Sequence, residues 1–311
     1  MTEVVLGAML FGTRVAEADS FAILDRFVEL GGRWIDTANN YSFWEHPSGL
    51  GGQSERVIGR WLAARPGMRD RVLLSTKVGA EPTDPAGGMH AMEGLGAAVV
   101  RAGIAASLDR LGTDHVDMYW AHVEDRSVSL AETVGAFGEV VARGQARRLG
   151  VSNTPVWRVE RGRGIAVAQG VTGWTALQLR HSYLQPRPGA PLTSWTHRQV
   201  FPETLDYVRS DPQLALWAYT TLLGGGYVRP DRPLEQAYDH PGTTRRLAVL
   251  AAVARELDAT PNQVVLAWLL GGDPGIWPIV GAGTVRWLDE VMLAREVKLD
   301  ADLRARLDAA T

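Results

Sequence analysis

A single lysine at the end of an apolar run is the residue of this sequence that most plainly indicates chemistry. Lys77 closes the run that starts at Val72, and apart from Lys298 every other side chain among the 32 lysines and arginines is an arginine. The pKa of a lysine moves readily on burial, so an isolated lysine at a strand end suggests a chemical role. A charged residue that closes a strand is the alternative for Lys77 alone.

Two further polar residues end apolar runs, at intervals that favour the chemical interpretation. Asp36 follows Trp34-Ile35, and His122 follows the run that begins at Val116. The intervals from Asp36 to Lys77 and from Lys77 to His122 each match a strand, a helix and two loops of a (β/α)8 barrel, where about 250 residues make eight units. We therefore expect these side chains at the carboxyl ends of neighbouring parallel strands.

A tyrosine in the loop after Asp36 completes an acid–base group of Asp36, Tyr41, Lys77 and His122. An adjacent ammonium favours the ionised form of a phenol and brings it closer to a useful acid–base range. Asp36 would pair with Lys77 and hold it in place. His122 would donate a hydrogen bond to an oxygen on which negative charge develops. For Tyr41 alone, packing of a loop aromatic on the rim is the alternative.

Strand-like and helix-like patterns alternate eight times, with no sequence repeat and no break in composition. This alternation predicts an α/β fold, a (β/α)8 TIM barrel, built as a single domain over residues 1–311. The first strand is predicted from Val4 to Leu10, and an extra C-terminal helix from Asp300 to Ala310. The fifth helix is predicted to start with Thr154 as N-cap and Pro155 as its first residue.

Composition limits the classes of protein that the chain can represent. With 311 residues, 46% of them hydrophobic, it can bury a sizeable core, and its net charge of −3 argues against a nucleic-acid surface. It contains no cysteine, so disulfides and thiolate metal sites are excluded. No apolar segment reaches about 18 residues, and the sequence does not start like a signal peptide. We expect a cytoplasmic protein without membrane or nucleic-acid partners; the oligomeric state is not predicted.

Glycine-rich loops follow the predicted seventh and eighth strands. The first contains Thr220, Leu222 and Gly224, and the second runs from Gly281 to Thr284. In (β/α)8 barrels such loops commonly bind phosphate through backbone N–H groups and a helix N-terminus, so they imply a phosphate-bearing ligand. Ordinary tight turns are the alternative for either loop alone. A Rossmann site is rejected because the third glycine and its βαβ context are missing.

Several stretches make the chain resemble an aldo-keto reductase over nearly its whole length. The combination of Asp, Tyr, Lys and His is highly specific for that family. The stretches that carry the resemblance are Ile35-Asp36-Thr37-Ala38-Asn39-Asn40-Tyr41, Gly52-Gln53-Ser54-Glu55, Ser75-Thr76-Lys77-Val78-Gly79, Asp117-Met118-Tyr119-Trp120-Ala121-His122 and Gly150-Val151-Ser152-Asn153.

The resemblance implies a barrel that binds a nicotinamide cofactor without a Rossmann domain and reduces an aldehyde or ketone to an alcohol by hydride transfer. By position, Tyr41 is the general acid, and Lys77 and Asp36 tune it. His122 orients the carbonyl. The residues implied or predicted to contact the cofactor are Ser152, Asn153 and Gln178 at the carboxamide, Tyr219 on the nicotinamide ring, and Thr220, Leu222, Gly224, Gly281, Thr284 and Arg286 elsewhere.

The choice between the two nicotinamide cofactors depends on the loop after strand eight. Where the family commonly places residues around the 2′-phosphate, this chain has Gly283, Trp287 and Val291. Arg286 is the only cation from Gly281 to Glu290 and, with Thr284, could contact the phosphate. The resemblance implies NADPH, with NADH as the alternative.

Aromatic residues near the predicted rim indicate the kind of substrate. Trp44 and Trp120, with Phe43, His46 and Trp195, are predicted to line an outer pocket, which favours a bulky or apolar carbonyl compound over a small polar one. Packing at the rim is the alternative for each of them. The natural substrate and the physiological direction are not predicted.

Two other functions compete with carbonyl reduction. A cofactor-binding sensor or accessory subunit would keep this fold with negligible turnover, and the intact acid–base group argues against it. A metal-dependent hydrolase would need a cluster such as His-x-His on one strand. His115 and His122 face opposite ways on strand four, so no metal site is expected.

Overall fold

The computed structural model describes residues 2–192 and 197–310. In this part of the chain, eight parallel strands close into a barrel in sequence order, with helices between them. The predicted (β/α)8 barrel is therefore confirmed. The strands are Val5–Gly7 (β1), Trp34–Asp36 (β2), Leu73–Val78 (β3), Val116–Ala121 (β4), Ala146–Ser152 (β5), Ala176–Arg180 (β6), Ala215–Tyr219 (β7) and Ile276–Gly281 (β8).

The helices follow the predicted alternation, and the extra C-terminal helix is confirmed. They are Glu17–Glu29 (α1), Gln53–Ala63 (α2), Ala97–Leu111 (α3), Leu130–Ala142 (α4), Val156–Gln169 (α5), Pro202–Ser210 (α6), Pro241–Glu256 (α7), Pro261–Leu270 (α8), Val285–Met292 (α9) and Ala301–Ala309 (α10). Among the described residues, none of these helices is long and apolar enough to cross a membrane.

Strand β4 shows why these segments fold as buried parallel strands. All of its residues are buried, as expected where both faces of a strand are covered. Tyr119 points toward the helices, where its hydroxyl donates to the carbonyl of Val100 at 3.2 Å and its ring lies 5.2 Å from that of Phe137. Trp120 packs over Gly150 of β5, where a Cβ would lie 2.2 Å from the indole ring. The glycine therefore makes room for the tryptophan.

Two predicted boundaries are wrong for local reasons. β1 ends at Gly7 because the chain turns directly after it, with the N–H of Phe11 donating to the carbonyl of Ala8 at 3.1 Å. α5 starts at Val156 with Pro155 as N-cap, one residue later than predicted. The hydroxyl of Thr154 instead donates to the carbonyl of Ser152 at 3.0 Å, so it does not cap the helix.

The described residues group into two compact units. One comprises Val5–Gln178 and Gly281–Val285, and the register of its strands pairs Asp36 with Ser75 and Lys77 with Trp120. The other comprises Met1–Val4, Leu179–Val280 and Arg286–Thr311. A single domain over residues 1–311 stays a prediction.

Candidate active site

The amine of Lys77 is the centre of the site. Its side chain is 0% exposed, and Nζ donates to Oδ2 of Asp36 at 2.5 Å, to the carbonyl of Thr37 at 2.7 Å and to Oη of Tyr41 at 2.7 Å. An ammonium has three N–H donors, so these three acceptors use all of them. Burial lowers the pKa of Lys77, and the negative charges of Asp36 and Glu55 oppose that shift.

Tyr41 contacts the ammonium of Lys77 and lies beside the imidazole of His122. Its hydroxyl donates to Oδ2 of Asp36 at 3.1 Å while its oxygen accepts from Lys77. The ring centroid lies 4.5 Å from Nζ of Lys77 and 5.8 Å from the imidazole centroid of His122, at an interplanar angle of 73°. The structure therefore brings all four residues of the predicted acid–base group together. A phenol held in this way can release a proton, because the neighbouring ammonium stabilises the phenolate.

Sequence reasoning missed Ser75, which fixes the other side of the carboxylate. Its hydroxyl donates to Oδ1 of Asp36 at 2.5 Å, and Ser75 is 0% exposed. The side-chain amide of Gln178 also donates to Oδ1, at 3.4 Å. Ser75 lies two residues before Lys77 and shares its strand face, so the period of two was a signal that could have found it.

Three residues predicted to hold a carboxamide also lie together, at the ends of β5 and β6. The hydroxyl of Ser152 donates to the carbonyl of Gln178 at 2.8 Å, and the amide of Asn153 donates to Oγ of Ser152 at 3.1 Å. The same amide donates to the carbonyl of His122, also at 3.1 Å. Asn153 has a φ of 52°, a left-handed conformation that asparagine tolerates better than most residues. The three residues are thus in contact with one another, and their binding of a carboxamide stays a prediction.

The residues predicted around β7 lie in the other unit. Tyr219 ends the strand, and its ring centroid lies 5.1 Å from that of His197 in an edge-on contact. In the loop that follows, Thr220 and Gly224 have left-handed φ values of 56° and 66°. Leu222 in the same loop is buried, and its contact with a cofactor stays a prediction. A β-branched residue rarely adopts the conformation of Thr220, which makes this turn a strained one.

The residues predicted after β8 are all accessible. Gly281 ends the strand and is exposed, as is Thr284 in the following loop. Arg286 in α9 is also exposed. Their accessibility suits contact with a ligand, and their roles stay predictions.

The aromatic residues predicted to line a substrate pocket differ in accessibility. Trp44 is 51% exposed and packs edge-on against Phe43 with centroids 5.1 Å apart, and His46 is also exposed. Trp120 is 0% exposed. Trp195 lies outside the described residues. Of Trp44 and Trp120, Trp44 is therefore the exposed one, and the substrate contacts of both stay predictions.

The fold and these contacts define a (β/α)8 barrel with a buried acid–base group at the carboxyl ends of its strands. The sequence model of the aldo/keto reductase family matches residues 3–311. The chain belongs to this family, as the resemblance implied, and it is an oxidoreductase.

Named relatives agree with this assignment. "Uncharacterized oxidoreductase YrpG" of Bacillus subtilis is 30% identical over 99% of this chain and 91% of its own length. "Norsolorinic acid reductase stcV" of Emericella nidulans is 30% identical over 94% of this chain and 74% of its own. "Aryl-alcohol dehydrogenase GME11368" of Pestalotiopsis microspora is 29% identical over 91% of this chain and 70% of its own. Such relatives support carbonyl reduction in general.

Proposed function

We propose that this protein reduces a bulky or apolar aldehyde or ketone to an alcohol with NADPH, using Tyr41 as the general acid. The observation that carries the proposal is the fully buried ammonium of Lys77, which contacts both the phenol oxygen of Tyr41 and the carboxylate of Asp36. A buried lysine in contact with a phenol is an arrangement that serves proton transfer, since it lowers the cost of forming the phenolate.

A nicotinamide cofactor fits the residues at the ends of β5 and β6. There the hydroxyl of Ser152 donates to the backbone carbonyl of Gln178, and the side-chain amide of Asn153 donates to Oγ of Ser152. When bound, the cofactor supplies the hydride that adds to the carbonyl carbon. Tyr219 is proposed to contact the nicotinamide ring on the strength of the family resemblance alone.

The acid–base group handles the proton. Tyr41 gives its hydroxyl proton to the substrate oxygen as that oxygen gains negative charge, and the phenolate left behind is stabilised by the ammonium of Lys77. Asp36 keeps Lys77 in place and charged, because its carboxylate lies 2.5 Å from the amine. His122, next to the Tyr41 ring, donates a hydrogen bond to the same substrate oxygen.

The nature of the substrate rests on one accessible surface and on the relatives. Trp44 is 51% exposed and follows Tyr41 closely in the sequence. The face of its indole ring favours planar apolar groups. One relative is named an aryl-alcohol dehydrogenase, which agrees with that preference. We therefore propose aryl aldehydes and ketones as the first compounds to assay.

The test is the Tyr41→Phe variant, assayed with NADPH and a panel of aryl and alkyl carbonyls. We expect turnover to fall by about a hundredfold or more, since that is the usual contribution of a positioned general acid, while the Kd for NADPH is unchanged. Tyr207→Phe, on α6, is the matched control and should behave like the wild type. Turnover above about a tenth of the wild-type value would remove Tyr41 from the acid role. A wild-type protein that binds NADPH but reduces no carbonyl would support the sensor alternative.

A further inference from the structure

The carboxylate of Glu93 lies outside the acid–base group and connects the two backbone segments that carry Tyr41 and Lys77. Oε1 of Glu93, in the loop after β3, accepts from the side-chain amide of Asn39 at 2.7 Å and from the backbone N–H of Gly79 at 2.7 Å. It also accepts from the N–H of Glu81 at 3.3 Å. A single oxygen thus meets three donors from two different loops.

The positions of these donors in the chain relate them to the site. Asn39 lies two residues before Tyr41, and Gly79 lies two residues after Lys77. The N–H of Asn39 also donates to the carbonyl of Lys77 at 3.2 Å. The carboxylate of Glu93 therefore fastens the segment that carries the phenol to the segment that carries the ammonium.

The backbone around this contact leaves little freedom for replacement. Gly79 has a φ of 110°, and a Cβ there would lie 2.6 Å from the side chain of Leu95. Such a conformation is available to glycine and strained in other residues. In this conformation the N–H of Gly79 points to the carboxylate of Glu93 and donates to it. The contact therefore depends on a glycine at position 79.

We propose that Glu93 is a positioning residue that fixes the distance between the Tyr41 phenol and the Lys77 ammonium. This inference rests on the proposed function, in which that contact of 2.7 Å supports proton transfer. Hydrogen bonds to a charged acceptor are about twice as strong as neutral ones, so three N–H donors on one carboxylate hold the two segments firmly. Misplacement of a catalytic group by about 1 Å can reduce the rate by about a hundredfold.

The small number of lysines allows a direct test that does not depend on turnover. Lys77 and Lys298 are the only two lysines, so a protein labelled with lysine that carries ¹³C at Cε alone gives two signals, and Lys298→Arg assigns them. We expect the Lys77 signal to move in Glu93→Ala and to return close to the wild-type position in Glu93→Gln, whose amide oxygen still accepts. We expect turnover to fall about tenfold to a hundredfold in Glu93→Ala, with the Kd for NADPH unchanged.

The matched control is Glu132→Ala, because the carboxylate of Glu132 also accepts from a backbone N–H, that of Ala97 at 2.9 Å. It should leave the Lys77 signal and turnover unchanged. If Glu93→Ala does not fold, Asn39→Ser removes the other end of the contact and should move the same signal. A Lys77 signal at its wild-type position in whichever variant folds would overturn the proposal. Absence of carbonyl reduction by the wild type would instead refute the proposed function, and the signal would still decide the role of Glu93.

Discussion

Replacing Lys77 by methionine should destabilise the protein by an amount that its contacts define. The substitution removes all three hydrogen bonds of the amine and leaves Asp36, which is 0% exposed, without its counter-charge. Removing one partner of a buried ion pair typically costs about 3 to 5 kcal/mol. Asp36 keeps the hydroxyls of Ser75 and Tyr41 as donors, so we expect a loss near the lower end, about 3 kcal/mol.

Urea denaturation gives the free energies of unfolding that test this expectation. Lys298→Met is the matched control, because Lys298 is exposed and its replacement should change stability by no more than about 0.5 kcal/mol. In the double variant Asp36→Asn, Lys77→Met no charge is left behind, so we expect about half or more of the lost stability to return. A loss below about 1 kcal/mol in Lys77→Met, or no recovery in the double variant, would refute the argument that a stranded carboxylate dominates the cost.

Two further predictions concern the cofactor and pH. Arg286→Ala should weaken NADPH binding by about tenfold to a hundredfold and leave NADH binding almost unchanged, because a charge-assisted hydrogen bond to phosphate contributes about 1.5 to 3 kcal/mol. An equal loss of affinity for both cofactors in a titration would show that Arg286 does not contact the 2′-phosphate. Burial, with the like charge of Glu93 adding to it, raises the pKa of Glu81 from 4.5 to about 7. The folded state therefore binds this proton more tightly than the unfolded state, so the stability of the wild type relative to Glu81→Gln should fall as pH rises from 4.5 through about 7. Thermal unfolding of both proteins across that pH range measures this difference in stability. A difference that does not change with pH would show that Glu81 is not responsible.

The fold was predictable because its signals lie within short segments. Alternating apolar periods identify strands and helices without knowledge of their partners, and the ends of those segments placed Asp36, Lys77 and His122 at one rim of the barrel. Tyr41 followed from its place in the loop after Asp36, whereas Ser152, Asn153 and Gln178 followed from the resemblance to the family. That these residues lie near one another was predictable, because parallel strands bring their carboxyl ends to the same edge of a sheet.

The tertiary structure alone decided the contacts that cross between strands and loops. Trp120 is fully enclosed because it packs over Gly150 on the next strand, and the sequence does not show that register. The bond from Ser75 to Asp36 likewise depends on the pairing of β2 with β3. Glu93 reaches Asn39 only because two loops fold against each other over the same strands. A pattern along the chain specifies which way a side chain points, whereas its partner depends on how separate segments align in space.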